Sequence, residues 1–191
     1  MRVWLVRHGP THQKAFTGWR DVPADLSDKD HIARVAAYLP NDAHVISSDL
    51  QRAIATADAI APSQTRLPHD PALREFDFGI WDGQHFSQVA ESHPVLSRAF
   101  WEQPGDISAP EGESWNDVAA RVNAAIDHHA QAVPDQDLIV VAHIGVIMTQ
   151  IQRATDGVAY HALAHTIDNL SITDMTHDGA RWHIGAINHN P

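Results

Sequence analysis

The chain has 191 residues, 43% of them apolar, and carries 13 Lys and Arg against 24 Asp and Glu, a formal net charge of −11. Such a length suits one domain over residues 1–191, and so negative a surface repels nucleic acid and anionic membrane, so any anion site has to be a local cationic pocket. There is no cysteine, which excludes disulfides, thiolate metal sites and thiol catalysis and fits a reducing compartment.

Residues 3 to 9 read Val-Trp-Leu-Val-Arg-His-Gly. Four consecutive apolar residues bounded by polar ones suit a buried strand of a parallel sheet, where ligands gather at the carboxyl ends. The run starts too near residue 1 for a secretory leader, and no stretch approaches the ~18 apolar residues of a membrane span, so a soluble cytoplasmic protein is expected. A polar loop follows, then a helix over 28–39 with Ile32, Val35, Ala36 and Leu39 at helical spacing. His44 to Ser47 is a short strand candidate. Residues 49–61 form the next helix, with Ser48 or Asp49 as its cap and Leu50, Ala53, Ile54, Ala57 and Ile60 on one face.

Between Pro94 and Gly112 the pattern is broken by Pro104, Gly105 and Pro110, which predicts helical pieces and a mobile loop. Ser114 opens another helix, with Asp117 in a capping-box arrangement and Val118, Val122, Ala125 and Ile126 facing inward; it ends near Pro134. Leu138 to Ala142 is the most continuous apolar β run, finishing in His143 and then Gly145, as the first strand finishes in His8 and Gly9. A helix over 146–154 follows. Strands near 170–175 and 182–187 are joined by a turn at Asp178-Gly179. This alternation predicts an α/β fold with a largely parallel sheet.

Reactive side chains fall where strands or strand-like segments end: Arg7 and His8, Arg52, Glu75 and His143. In a right-handed parallel fold these ends share one sheet edge. Displacement at phosphorus needs charge neutralisation on the nonbridging oxygens, a positioned nucleophile and an acid for the leaving oxygen. Arg7 and Arg52 supply fixed charge and disfavour protonation of a neighbouring His. Glu75 is the only carboxylate of the set, hence the candidate proton donor, and His143 is a second donor to the phosphoryl group. Taken alone, Arg52 reads as a helix-surface residue and Glu75 as a solvated one. The 15 histidines are otherwise scattered, with no His-Glu-x-x-His, so no metal site is read from them.

Arg7-His8-Gly9 with Thr11, Ser47-Ser48-Asp49-Leu50-Gln51-Arg52-Ala53 with Thr56-Ala57, Leu73-Arg74-Glu75-Phe76-Asp77-Phe78-Gly79 with Trp81-Asp82-Gly83, Gly112-Glu113-Ser114, and Val141-Ala142-His143-Ile144-Gly145-Val146 together resemble the histidine phosphatase, or phosphoglycerate mutase-like, superfamily. The resemblance implies a three-layer αβα sandwich with a mostly parallel central sheet. It also implies that His8 is a transiently phosphorylated nucleophile, that Arg7, Arg52 and His143 hold the phosphate, and that Glu75 is the acid and later the base for water, with no metal or other cofactor.

Phe16-Thr17-Gly18-Trp19 resembles the mutase loop that touches substrate, making Thr17 and Gly18 substrate-binding candidates. Pro10 and Lys14 stand where many members have other residues, and Ile144, where the family often has Gly, keeps its N–H beside the phosphate but narrows the pocket. Trp19 and Trp81 are candidate pocket walls; Lys14 and Arg20 are candidate substrate contacts. Walls drawn from residues 12–22 and 84–112 are expected to set specificity. Mutases of the superfamily are typically longer, with an insertion after the acid segment and a shielding tail. Here about thirty residues separate Gly83 from Ser114. Hydrolysis of a small phosphomonoester, such as α-ribazole phosphate or a sugar phosphate, is therefore expected ahead of phosphoglycerate-type mutation, and a noncatalytic phospho-ligand module ranks last.

Overall fold

The computed structural model describes residues 1–191 and is built on a six-stranded sheet. Strands β1 (Arg2–Arg7), β2 (Ala43–Ser47), β3 (Thr65–Arg66), β4 (Asp137–Ala142), β5 (Ile172–His177) and β6 (Trp182–Ile184) lie in the order β3-β2-β4-β1-β5-β6. The first four are parallel; β5 pairs antiparallel with β1, and β6 antiparallel with β5. The continuous apolar runs of β1 and β4 are explained by their position: each has a neighbour on both edges and helices on both faces. Val3 and Leu5 of β1 and Leu138 and Val140 of β4 enter the larger core; Trp4, Val6, Ile139 and Val141 enter the smaller one.

Helices α1 (Lys29–Tyr38) and α2 (Gln51–Ile60) cover the smaller core through Ile32, Val35, Ala53, Ala57 and Ile60. On the other face α3 (Phe86–Ser92), α4 (Pro94–Glu102), α5 (Trp115–Ala132), α6 (Ile144–Thr155) and the short α7 (Ala159–Ala162) cover the larger core. The result is the expected three-layer sandwich.

Local chemistry sets several boundaries. Ser114 caps α5 by accepting from the Asp117 N–H, and the Asp117 carboxylate accepts from the Ser114 N–H at 2.9 Å, a reciprocal capping box. The expected cap of α2 is corrected: Leu50 stands at that position with no side-chain cap. Ser48 Oγ instead accepts from the Leu50 N–H at 3.2 Å, and Asp49 is drawn away to Arg74, whose Nε donates to it at 2.7 Å. The helical piece expected after Pro94 is α4, which runs to Glu102 with Pro94 in its first turn, where a missing N–H costs nothing, and residues 103–112 follow as loop.

Candidate active site

The carboxyl ends of β1, β2 and β4 lie side by side, with Ser47 paired to Val141 and Arg7 paired to Ala142. His8 follows β1, Arg52 sits in the first turn of α2, and His143 immediately precedes α6. The His8 and His143 ring centroids are 5.1 Å apart. His8, Arg52, Glu75 and His143 are all buried.

His8 is held in one tautomer. Its Nδ1 lies 2.7 Å from the Gly9 carbonyl oxygen, which can only accept, so Nδ1 carries the proton and Nε2 keeps its lone pair. Burial, and after it the charge of Arg52, pushes the imidazole pKa down to about 3. The backbone is pinned as well: Asn169 donates to the His8 carbonyl at 2.7 Å, and the Gly9 N–H donates to Thr56 Oγ1 at 2.9 Å.

His143 is fixed in the opposite sense. Arg52 Nε donates to its Nδ1 at 3.3 Å, so the neutral ring carries its proton on Nε2, a buried N–H with no partner in the protein. Burial first, then Arg52, lowers its pKa well below the usual imidazole value. Arg52 also donates to the Arg20 carbonyl at 2.9 Å and the Gly18 carbonyl at 2.7 Å. One N–H on each terminal guanidinium nitrogen is left over. Arg7 donates to the Ile167 carbonyl, and its buried Nε has no partner. Three unsatisfied cationic or polar groups beside a neutral histidine make a place for an anion.

The Glu75 carboxylate accepts from its neighbour Phe76 N–H at 3.0 Å and from the Gly145 N–H, in the first turn of α6, at 3.1 Å. Burial raises its pKa and outweighs both N–H bonds and the charges of Arg52 and Arg7. A carboxyl so desolvated favours its protonated form. The segment carrying it is clamped from behind by Arg121 of α5, which donates to the carbonyls of Ala72, Arg74 and Glu75 at 2.8 to 2.9 Å while its fork pairs with Glu113. Glu113 belongs to the Gly-Glu-Ser motif; Arg121, its partner eight residues on, carried no sequence signal of its own.

A cavity of about 260 Å³ opens onto this set, lined by Arg7, His8, Glu75, Thr17 and Ile144 together with an aromatic wall of Phe16, Phe78, Phe86 and Trp101. Thr11, Gln13 and Ala15 complete it. The expected wall segments, residues 12–22 and 84–112, do contribute Phe16, Phe86 and Trp101, though sequence reading does not single out Phe86, Trp101 or Gln13 individually, and Arg52 and His143 are not part of the lining. Gly18 lies outside the lining; its carbonyl orients Arg52. Trp81 is fully buried, packed on Phe16 and Phe100, and Trp19 stacks on Arg74 and donates to the Glu75 carbonyl, so neither is a pocket wall. Lys14 and Arg20 are likewise absent from the lining; Arg20 is turned toward Asp82, 3.7 Å away.

The profile of the Histidine phosphatase superfamily (branch 1) matches residues 3–190. The chain belongs to the histidine phosphatase superfamily. It is 34% identical over 189 residues to the Bifunctional protein Rv2228c of Mycobacterium tuberculosis, covering 94% of this chain and 51% of that protein. The chain thus spans about half the length of these mycobacterial relatives. It is 30% identical to a Probable phosphoglycerate mutase GpmB of Escherichia coli, covering 95% of this chain and 87% of the relative. Among solved structures, the mycobacterial glucosyl-3-phosphoglycerate phosphatase Rv2419c in complex with VO3 superposes with a TM-score of 0.84 at 26% identity, covering 98% of each chain. The histidine phosphatase fold therefore accounts for the whole sandwich. The five motif segments that carried the resemblance converge on the one cavity or its immediate support.

Proposed function

We propose that the protein is a phosphomonoesterase working through a phosphohistidine at His8. The observation that carries the reading is the tautomer of His8: its Nδ1–H is fixed on the Gly9 carbonyl, which leaves a neutral Nε2 beside Arg7 and Glu75 in the cavity. In the first step the Nε2 lone pair attacks phosphorus, the bond to the ester oxygen breaks, and the Glu75 carboxyl gives its proton to the departing alkoxide. In the second, the Glu75 carboxylate takes a proton from water, the hydroxide attacks phosphorus, and the N–P bond breaks to return neutral His8 and free phosphate. Arg7, Arg52, the His143 Nε2–H and the Ile144 N–H balance the charge on the nonbridging oxygens. Thr17 contacts the substrate at the cavity side, and Gly18 acts through Arg52. No step calls for a metal or another cofactor, and activity is expected to survive a chelator.

The similarity to a probable phosphoglycerate mutase keeps a second reading, in which the phosphoryl group returns to a bound sugar acid. A panel of phosphomonoesters, with α-ribazole phosphate and sugar phosphates among them, assayed for phosphate release and for 3-phosphoglycerate interconversion separates the two. Phosphate release with no interconversion supports the phosphatase. Interconversion without release, or an inert protein, sinks it.

A further inference from the structure

The cavity lining is of two unlike kinds. Arg7, His8 and Glu75 carry its charge and chemistry; Phe16, Phe78, Phe86 and Trp101 make its aromatic wall, and Thr11, Gln13, Ala15, Thr17 and Ile144 complete the lining. No lysine, no second arginine and no second carboxylate lines it. A substrate carrying another phosphate or a carboxylate beyond the scissile bond would bring that charge against aromatic rings with only the neutral Thr11, Gln13 and Thr17 to replace its water and no cation to balance it, which is costly. The two cations of the adjoining loop face elsewhere. Arg20 donates to the Phe16 carbonyl and pairs with Asp82, and Lys14 is exposed outside the lining.

The wall itself is unusually placed. Phe86 is 53% exposed and Trp101 38%, whereas Val89 and Phe100 of the same two helices are buried in the core. Phe16 holds them in register: its ring lies 4.4 Å from Phe86 edge-on and 6.2 Å from Trp101, 12° from parallel. The same three residues border a second depression along α3 and α4, where Val89, Ala90 and Pro94 add apolar surface and Ser97, Arg98 and Glu102 add polar surface, with Arg98 facing Glu102 at 3.9 Å.

We infer that the alcohol released from the substrate carries an uncharged aromatic ring, which packs on Phe16, Phe86 and Trp101. This rests on the phosphatase reading for the word alcohol, but the wall can be tested without turnover. Offset or edge-on ring contacts at such distances, together with the area buried, are worth a factor of about 10 to 100 in binding.

The probes are a matched pair of phosphonates, 2-phenylethylphosphonate and 3-phosphonopropionate, which differ only in ring against carboxylate. Calorimetry is expected to find the phenyl compound bound at least about tenfold more tightly, and Trp101→Ala with Phe86→Ala to erase most of that ratio. Equal binding of the pair, or a ratio untouched by both substitutions in variants that keep the wild-type circular dichroism, overturns the inference. Turnover then uses 2-phenylethyl phosphate against 3-phosphoglycerate and O-phosphoserine, all alkyl esters. Higher kcat/KM for the phenyl ester supports the inference, and parity overturns it. Discrimination between the phosphonates with no ester hydrolysed leaves the aromatic wall standing and overturns the phosphatase reading instead.

Discussion

The Gly145 N–H donates to the Glu75 carboxylate at 3.1 Å, and a Cβ at residue 145 would stand 2.3 Å from Glu75 Oε1 and 2.4 Å from the Phe76 ring. The glycine is required by contact, since the first turn of α6 is pressed directly onto the proposed acid. Its amide and the helix terminus hold the carboxylate while burial holds its proton. Two opposed influences act on one group, the burial that raises its pKa and the N–H bonds from Phe76 and Gly145 that lower it.

Gly145→Ala is therefore expected to push Glu75 out of place. A displacement near 1 Å at a catalytic group costs about 100-fold, so kcat should fall by roughly that factor while KM moves less. Steady-state kinetics on a phosphomonoester checks this. Retention of full kcat would mean that Glu75 is not positioned through this contact.

The nucleophile and acid assignments separate in a rapid-quench experiment. His8→Ala is expected to abolish an acid-labile phosphoenzyme, since no other free imidazole lone pair lines the cavity. Glu75→Gln keeps the nucleophile but cannot protonate the leaving oxygen, a loss of about 10²- to 10⁴-fold with alkyl esters. With p-nitrophenyl phosphate, whose leaving group needs little help, labelling should persist at a slower rate. Undiminished turnover in His8→Ala would end the mechanism.

His8 and His143 were legible because each follows a strand, and β1 and β4, buried on both faces, announce themselves as unbroken apolar runs; Arg52, in the first turn of α2, and Glu75, which follows a short 3-10 turn and no strand, were legible through their motifs. The Ser114 capping box was equally local and equally legible. Long-range competition was not: Asp49 reads as a helix cap until Arg74, 25 residues away, claims its carboxylate. Strand β3 is two residues long and has no period to detect. The aromatic wall draws Phe16, Phe78, Phe86 and Trp101 from a loop, a turn and two helices, so no spacing joins them. Trp19 and Trp81 fell in more suggestive motifs but proved to be supports.

Activity should be insensitive to mild acid. With its pKa near 3, His8 stays neutral from pH 8 to pH 5, so no acid limb of kcat is expected from His8 between pH 7 and pH 5. The alkaline limb should belong to Glu75, whose raised pKa still leaves it unable to donate once deprotonated. A tenfold fall in kcat for each pH unit below the ordinary imidazole value would show His8 titrating there, contrary to its burial.

The same groups make stability depend on pH with opposite signs. His8 has a depressed folded pKa, so between about 6.5 and about 3 the unfolded chain binds more protons; its contribution is complete above that window and is lost as pH falls through it. Glu75 has a raised folded pKa, so its contribution is complete below the ordinary carboxylate value and is lost as pH rises. Thermal unfolding should therefore show His8→Asn with a flatter decline in Tm from pH 7 to pH 4 than wild type. Glu75→Gln should have a higher Tm at pH 8, because the amide carries no buried charge. A Tm lowered at pH 8 would mean that the carboxylate is well solvated after all.

Arg121 offers the test of how the acid segment is held. All five of its N–H groups are used: two on Glu113, and one each on the carbonyls of Ala72, Arg74 and Glu75. Lysine has three donors on one nitrogen and cannot reproduce the fork, so Arg121→Lys leaves at least two of these five acceptors without their donor. A cost on the order of 3 kcal/mol is expected, or roughly 5–10 °C in Tm for a chain of this size. Stability alone would not separate a clamp on Glu75 from a general packing role. The discriminating measurement is the alkaline limb of kcat, which should move in Arg121→Lys because the carboxyl is no longer held in the same dry contact with Gly145. A lowered Tm with an unmoved pH profile would reduce Arg121 to a structural ion pair with Glu113.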